Sequence, residues 1–98
     1  MRGLIIEHDG KIAGYALLAF YWSCEAGGTV VQLEDLYIKS DFRSAGLGSQ
    51  FMDWLLKEYS DTVARFRLEV CPKNGRVKNF YEKYGFCELP YIQMIKDK

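Results

Sequence analysis

A glycine-containing segment, Arg43 to Ser49, lies between an apolar, strand-like run and a run with helical spacing. A turn that passes directly from a strand into a helix leaves the first backbone N–H groups of the helix without intrahelical partners. These groups and the helix dipole attract anionic oxygen. Gly46 and Gly48 would let such oxygens approach the backbone, and Arg43 adds a forked, permanently charged donor. The segment predicts a site for a phosphate-bearing cofactor; the alternative is an ordinary glycine-containing turn.

The whole chain, residues 1–98, is predicted to form one domain with a single core, since no linker, repeat or low-complexity tract divides it. Its thirteen basic and thirteen acidic residues are well mixed, so no field favours nucleic acid or an anionic membrane. Apolar runs such as Ile12 to Trp22 are far shorter than the ~20 residues that span a bilayer, and no signal-peptide profile begins the chain. We therefore expect a cytosolic protein that binds neither nucleic acid nor membrane.

The three cysteines, Cys24, Cys71 and Cys87, are odd in number and lack a paired metal-ligand spacing. Neither a disulfide framework nor a metal site is predicted, and we expect all three to be reduced. The single histidine, His8, lies beside Asp9-Gly10 in a predicted hairpin turn. It is therefore interpreted as a surface residue rather than the base of a nucleophilic cysteine.

Apolar and β-branched runs predict three strands in the first part of the chain. The runs Leu4 to Glu7 and Ile12 to Trp22, joined by His8 to Lys11, indicate an antiparallel hairpin. After a turn at Gly27-Gly28, Thr29 to Lys39 predicts a third strand, apolar enough to be covered on both faces.

Helical spacing follows from about Ala45 to Tyr59, where an apolar stripe should pack on the sheet. Phe66 to Cys71 alternates apolar and charged residues like a fourth strand, stopped by Pro72. A second helix is predicted around Val77 to Tyr84, and a closing hairpin by Phe86 to Glu88 and Tyr91 to Ile95, around Pro90. The order predicts an α/β (α+β) fold with a mixed, largely antiparallel sheet flanked by two helices, and a cofactor bound where the strands separate.

Two motifs together resemble the GNAT superfamily of acyl-CoA-dependent N-acetyltransferases. Arg43-x-x-Gly46-x-Gly48 is similar to the family's pyrophosphate motif, between its fourth strand and third helix, and the run from Asn74 to Phe86 is similar to its second signature. The runs Leu33 to Arg43 and Gly10 to Ala16 most resemble the polyamine and diamine acetyltransferases of the spermidine/spermine type. The resemblance begins at the family's second strand, so the family's first strand and two helices have no counterpart in these 98 residues.

The resemblance implies acetyl-CoA as cosubstrate and no metal. It places the pyrophosphate on the backbone of the glycine-containing segment, beside Arg43, and the pantetheine arm along the third strand. Asn74 would hydrogen-bond the pantetheine amides. The backbone groups in these two roles belong to Leu36, Tyr37, Ile38, Ser44, Ala45, Gly46, Leu47, Gly48 and Ser49.

Tyr81 is the candidate general acid that protonates the departing coenzyme A thiolate and contacts the cofactor. By spacing alone it is interpreted as a core tyrosine, and only the motif favours the acid; Tyr84 is the lesser alternative for the acid. Glu34 is the candidate general base for an ammonium acceptor, or else it forms a structural ion pair or faces solvent at a bulge. Asp35 could attract a cationic polyamine. Because side chains alternate along a strand, Glu34 and Asp35 can serve one site only if the strand bulges there.

The resemblance therefore implies direct transfer of an acetyl group from acetyl-CoA to a primary amine, such as a polyamine or another small amine. A chain that lacks the family's first two helices lacks part of the usual acceptor wall, so a coenzyme A-binding module without an acceptor site is the alternative. The same shortening leaves an edge strand near Leu4 to Glu7 uncovered. Such an edge favours pairing with another chain, and a homodimer is expected.

Overall fold

The computed structural model describes residues 1–71 and 73–97. It contains a four-stranded sheet with two α-helices on one face. The strands lie in the order β1-β2-β3-β4; the first two pairs are antiparallel and β3–β4 is parallel. The predicted mixed, largely antiparallel sheet with two helices is thus confirmed. The elements are β1 (Arg2–His8), β2 (Lys11–Ser23), β3 (Gly28–Ile38), a 3₁₀ helix (Ser40–Ala45), α1 (Leu47–Glu58), β4 (Arg65–Leu68) and α2 (Gly75–Glu82).

The predicted first hairpin is present, and its turn is closed by Asp9 and Gly10 with φ angles of 52° and 76°. Positive φ at both central residues matches the twist of the flanking strands. Further along, the pairing of β2 with β3 passes from Leu18↔Leu33 to Leu17↔Asp35. Glu34 is therefore an extra residue, a β-bulge in β3.

The apolar core lies between the sheet and the helices. Alternate residues of β2 and β3, including Leu18 and Val31, pack against one stripe of α1. Met52 and Leu55 of that stripe are fully buried, and burial of one such side chain is favourable by about 1.5–3 kcal/mol. Neither α-helix in the described part of the chain is long and apolar enough to cross a membrane.

Three predicted segments differ in the structure. The helix predicted from Ala45 begins at Leu47, because Gly46 adopts φ 73° and separates α1 from the preceding 3₁₀ helix. The fourth strand is shorter than predicted and ends at Leu68, and Pro72, its predicted stop, lies outside the described residues. The third strand is covered on both faces only before the bulge, where the neighbours Val30 and Val31 are each 1% exposed, while Asp35 and Tyr37 beyond it are exposed.

The predicted closing hairpin was wrong for the described residues 86–97, which contain no strand. Apolar composition indicated strands, but composition supplies no pairing partner. The edge of β4 offers only 4 residues, and Pro90 provides no backbone donor. Ile92 consequently remains 90% exposed.

Candidate active site

The parallel strands β3 and β4 part at a defined point. They pair from Val30↔Arg65 to Leu33↔Leu68, and β3 then runs on to Ile38 without a β4 partner among the described residues. The backbone groups that this stretch turns toward β4 are open to a ligand, and ligands commonly bind where the carboxyl ends of such strands separate. The predicted pantetheine-binding residues Leu36, Tyr37 and Ile38 all lie on this open stretch.

The N-terminus of α1 follows the same end of β3. Gly46 precedes the helix and provides no side-chain cap, and its carbonyl oxygen accepts the first helical hydrogen bond from Gln50 N at 3.1 Å. The N–H groups of Leu47, Gly48 and Ser49 therefore precede the intrahelical ladder. The predicted phosphate-binding segment is divided between two helices, because Ser44 and Ala45 belong to the 3₁₀ helix and not to α1.

Arg43 folds back onto the end of β3 instead of extending from the turn. Its Nε donates a hydrogen bond to the carbonyl oxygen of Ile38 at 3.0 Å. The guanidinium carbon lies 5.9 Å from the centroid of the Tyr37 ring. Arg43 thus joins the turn to the open stretch of β3 and places a positive charge beside it.

The helix α2 packs against the start of α1. The Tyr84 hydroxyl donates to the carbonyl oxygen of Ser49 at 3.4 Å, and Phe80 lies next to Gly48. Asn74 is the N-cap of α2, and its Oδ1 accepts from Val77 N at 3.3 Å. The Nδ2 donor of Asn74 makes no hydrogen bond within the described residues.

Tyr81 faces the core side of α2 and is half-buried. Its ring contacts Phe80 and Phe86, with centroids 5.2 and 5.9 Å away. Burial raises the pKa of the Tyr81 hydroxyl above its ordinary value of 10.0, so the group keeps its proton at neutral pH. Tyr81 also lines a cavity of about 450 Å³ together with Leu68, the residue at which β4 leaves β3.

Glu34 and Asp35 are both exposed, and the bulge that would let both serve one site is present at Glu34. Asp35 lies on the sheet face opposite the helices, where its Oδ2 accepts a hydrogen bond from the Tyr15 hydroxyl at 2.9 Å. The sequence analysis did not identify Tyr15. Tyr15 lies near Asp35 only because the register between β2 and β3 pairs Tyr15 with Tyr37.

The predicted residues lie on elements that meet around the point where β3 and β4 part. Glu34 and Asp35 follow Leu33 on one strand, Tyr81 lines a cavity with Leu68 of the other, and α1 begins at the same end of the sheet. Tyr81 lies on the helix side of the sheet and Asp35 on the opposite side. Among the described residues, no group of three or more His, Cys, Asp or Glu side chains is arranged to hold a metal ion.

Residues 1–86 match the acetyltransferase (GNAT) family. The chain belongs to this family. An uncharacterized N-acetyltransferase of Mycobacterium tuberculosis is 34% identical over 84 residues, which cover 85% of this GNAT chain and 51% of the relative. Thialysine N-epsilon-acetyltransferase of Sus scrofa is 30% identical over 79 residues, covering 80% of the chain and 46% of the enzyme. The chain thus spans about half the length of these relatives.

The crystal structure of a possible acetyltransferase from Clostridium difficile has the same fold, with a TM-score of 0.83 and 17% identity. The match covers 96% of the GNAT chain and 63% of that structure. The family match over residues 1–86 confirms the assignment predicted from the two motifs, while the comparisons do not resolve the polyamine type.

Proposed function

We propose that this GNAT chain transfers an acetyl group from acetyl-CoA to a primary amine, with a polyamine or another small amine as acceptor. The observation that carries the proposal is the open stretch of β3, which lies beside the uncapped N-terminus of α1 in a chain of this family. The relative from Sus scrofa is named for acetylation of thialysine, which supports a small amine as acceptor.

The donor would lie along the open stretch of β3. Its pantetheine amides would pair with the backbone of Leu36, Tyr37 and Ile38 as an added strand does. One of these N–H groups would stabilise the oxyanion formed on attack, a role in which a single donor is worth about a hundredfold or more in rate.

The pyrophosphate would bind at the start of α1, on the N–H groups of Leu47, Gly48 and Ser49 and the preceding turn at Ser44 to Gly46. Arg43 would add charge from its place beside Tyr37. Asn74 would donate from Nδ2 to a pantetheine carbonyl while its Oδ1 caps α2.

The chemistry would proceed by direct attack. Glu34 removes a proton from the acceptor ammonium, and the free nitrogen attacks the thioester carbonyl carbon. The carbon–sulfur bond then breaks, Tyr81 donates its proton to the departing thiolate, and the remaining extra proton on the attacking nitrogen restores the Tyr81 hydroxyl. The raised pKa of Tyr81 supports this role, because the hydroxyl enters the reaction protonated. Asp35 would attract the positive charge of the acceptor.

Titration calorimetry with acetyl-CoA tests the cofactor site. A methyl group at Gly48 would come no nearer to the protein than 3.7 Å from Phe80 Cζ, an ordinary contact, so Gly48→Ala should keep its melting temperature. The same methyl group occupies space that a bound phosphate needs, and we expect acetyl-CoA affinity to fall by about tenfold or more. Gly75→Ala, in the first turn of α2 and with no atom within 4 Å of the added methyl group, is the matched control.

Equal acetyl-CoA affinity in the Gly48→Ala variant and the wild type would overturn the proposed cofactor site. Release of free thiol in the presence of amines then separates the enzyme from the alternative, a module that binds acetyl-CoA without turnover. Binding without thiol release across an amine series would favour the module.

We also propose that the chain forms a homodimer through β1. This strand is an edge of the sheet, and Ile5 on it is 63% exposed. Edge strands with exposed apolar residues pair readily with other chains. A monomer in light scattering at high protein concentration would overturn this proposal.

A further inference from the structure

We infer that Tyr15 is a positioning residue for the acceptor, because its hydroxyl holds the Asp35 carboxylate where it receives the second ammonium group of a diamine. The inference rests on the proposed acetyl transfer and adds Tyr15 as the residue that determines how strongly a second ammonium group of the acceptor is bound. Tyr15 would act through Asp35 and take no part in the chemical step.

A hydrogen bond from Tyr15 fixes the position of the Asp35 carboxylate. The Tyr15 hydroxyl lies 2.9 Å from Asp35 Oδ2, and no other donor reaches the Asp35 side chain within the described residues. Fixing one carboxylate oxygen presents the other to a ligand and reduces the ordering needed on binding. The hydrogen bond and the charge of Asp35 raise the pKa of Tyr15, so its hydroxyl remains a donor at neutral pH.

Two aromatic rings form the wall beside this carboxylate. The Tyr15 and Tyr37 rings lie 5.6 Å apart at 36°, and the two residues are 38% and 42% exposed. Aromatic faces attract cations, and the effect adds to that of a nearby carboxylate. Arg43 already places a cation by the Tyr37 ring. Asp35 has no positively charged partner among the described residues, so the position next to Asp35 is the one that a ligand cation can take.

The bulge at Glu34 determines which amines can use this arrangement. It leaves Glu34 and Asp35 adjacent and both exposed, beside the place where β3 parts from β4. An acceptor with one amino group at Glu34 and the thioester can place a second, charged amino group at Asp35. A monoamine has no group for that contact.

Steady-state kinetics with 1,4-diaminobutane and butylamine test the inference. In the Tyr15→Phe variant we expect the KM for 1,4-diaminobutane to rise by about tenfold, since a hydrogen bond to a charged group is lost. The kcat for the diamine and both constants for butylamine should change little. A role of Tyr15 in general stability would affect both amines alike.

Tyr21→Phe is the matched control, because Tyr21 lies on the same face of β2 and its hydroxyl donates to Gln32 Oε1 at 3.3 Å. We expect it to keep the preference for the diamine, and Asp35→Asn to lose it. A Tyr15→Phe variant with the wild-type ratio of KM values for the two amines would overturn the inference.

Titration calorimetry of both amines into the protein saturated with coenzyme A gives a readout that does not depend on turnover. Tighter binding of the diamine that Tyr15→Phe removes would support the inference even if no amine were acetylated, in which case only the proposed function fails. Acetylation of amines without any diamine preference in the wild type would overturn the inference and leave the proposed function standing.

Discussion

The two faces of the sheet are built from alternating residues of the same strands but have different surroundings. On the helix face, Leu18, Met52 and Leu55 are fully buried against one another. On the opposite face, Tyr15, Asp35 and Tyr37 remain exposed and contact each other through a hydrogen bond and a pair of rings. The comparison indicates that stability resides mainly on the helix face, while the opposite, open face carries the proposed recognition of the acceptor.

The largest expected effect is on stability, from truncation in the core. Leu55→Ala removes a fully buried side chain and should lower the free energy of unfolding by about 2–5 kcal/mol. Ile5→Ala on the open face should change it by less than about 0.5 kcal/mol, as is usual for surface substitutions. Urea unfolding of both variants measures the difference. Similar losses would mean that the open face is buried in solution.

Tyr81 belongs to the helix face and yet is assigned a chemical role, so it is the exception to the comparison. Tyr81→Phe keeps the ring that contacts Phe80 and Phe86 and should lower kcat by about a hundredfold. Tyr84→Phe, which loses a hydroxyl from the same helix face, should have little effect on kcat. Single-turnover rates with a reactive amine measure both. A larger loss in Tyr84→Phe would assign the acid to Tyr84.

Asn74 combines a structural and a proposed binding role in one side chain. Asn74→Ala removes the oxygen that caps α2 and should lower the free energy of unfolding by about 1 kcal/mol. Asn74→Asp keeps a capping oxygen but loses the Nδ2 donor, so it should retain stability and weaken acetyl-CoA binding. Thermal unfolding and calorimetry on both variants separate the roles. Full acetyl-CoA affinity in Asn74→Asp would leave Asn74 as a cap alone.

The smallest expected effect is a change in the alkaline pH dependence of stability. Burial raises the folded-state pKa of Tyr81 above the 10.0 of an exposed tyrosine, so the unfolded chain loses this proton first as the pH rises. Below about pH 10 the group leaves stability unchanged, and the free energy of unfolding falls from there up to the folded-state pKa. Melting temperatures from about pH 9 to about pH 11 should therefore fall less steeply in Tyr81→Phe. Identical slopes would contradict the burial of this hydroxyl.

Local patterns predicted most of the fold, because alternation and helical spacing report directly on burial. The turn at Asp9-Gly10 and the stripe of α1 were identified in this way. The start of α1 was misplaced, since the chain composition does not show that Gly46 adopts positive φ. The closing hairpin was predicted wrongly because apolar residues near the C-terminus do not specify a partner strand.

For the candidate site, the sequence identified residues but not their mutual contacts. The glycine-containing segment and the motif around Tyr81 were found from their order along the chain. The hydrogen bond from Tyr15 to Asp35 depends on the register between β2 and β3, which no local pattern reports. Arg43 was assigned by charge, but its contact with Ile38 depends on how the 3₁₀ helix follows β3.

The extra residue in β3 changes the parity of the strand. Before it, the odd-numbered residues Val31 and Leu33 face the helices; after it, the even-numbered Leu36 packs against the same core. Removal of Glu34 alone would therefore leave a regular strand in which each later side chain keeps its face and its partner on β2. A single-codon deletion is thus compatible with the fold while it removes the proposed base, so in this family member the carboxylate proposed for catalysis is an insertion into a sheet that does not require it.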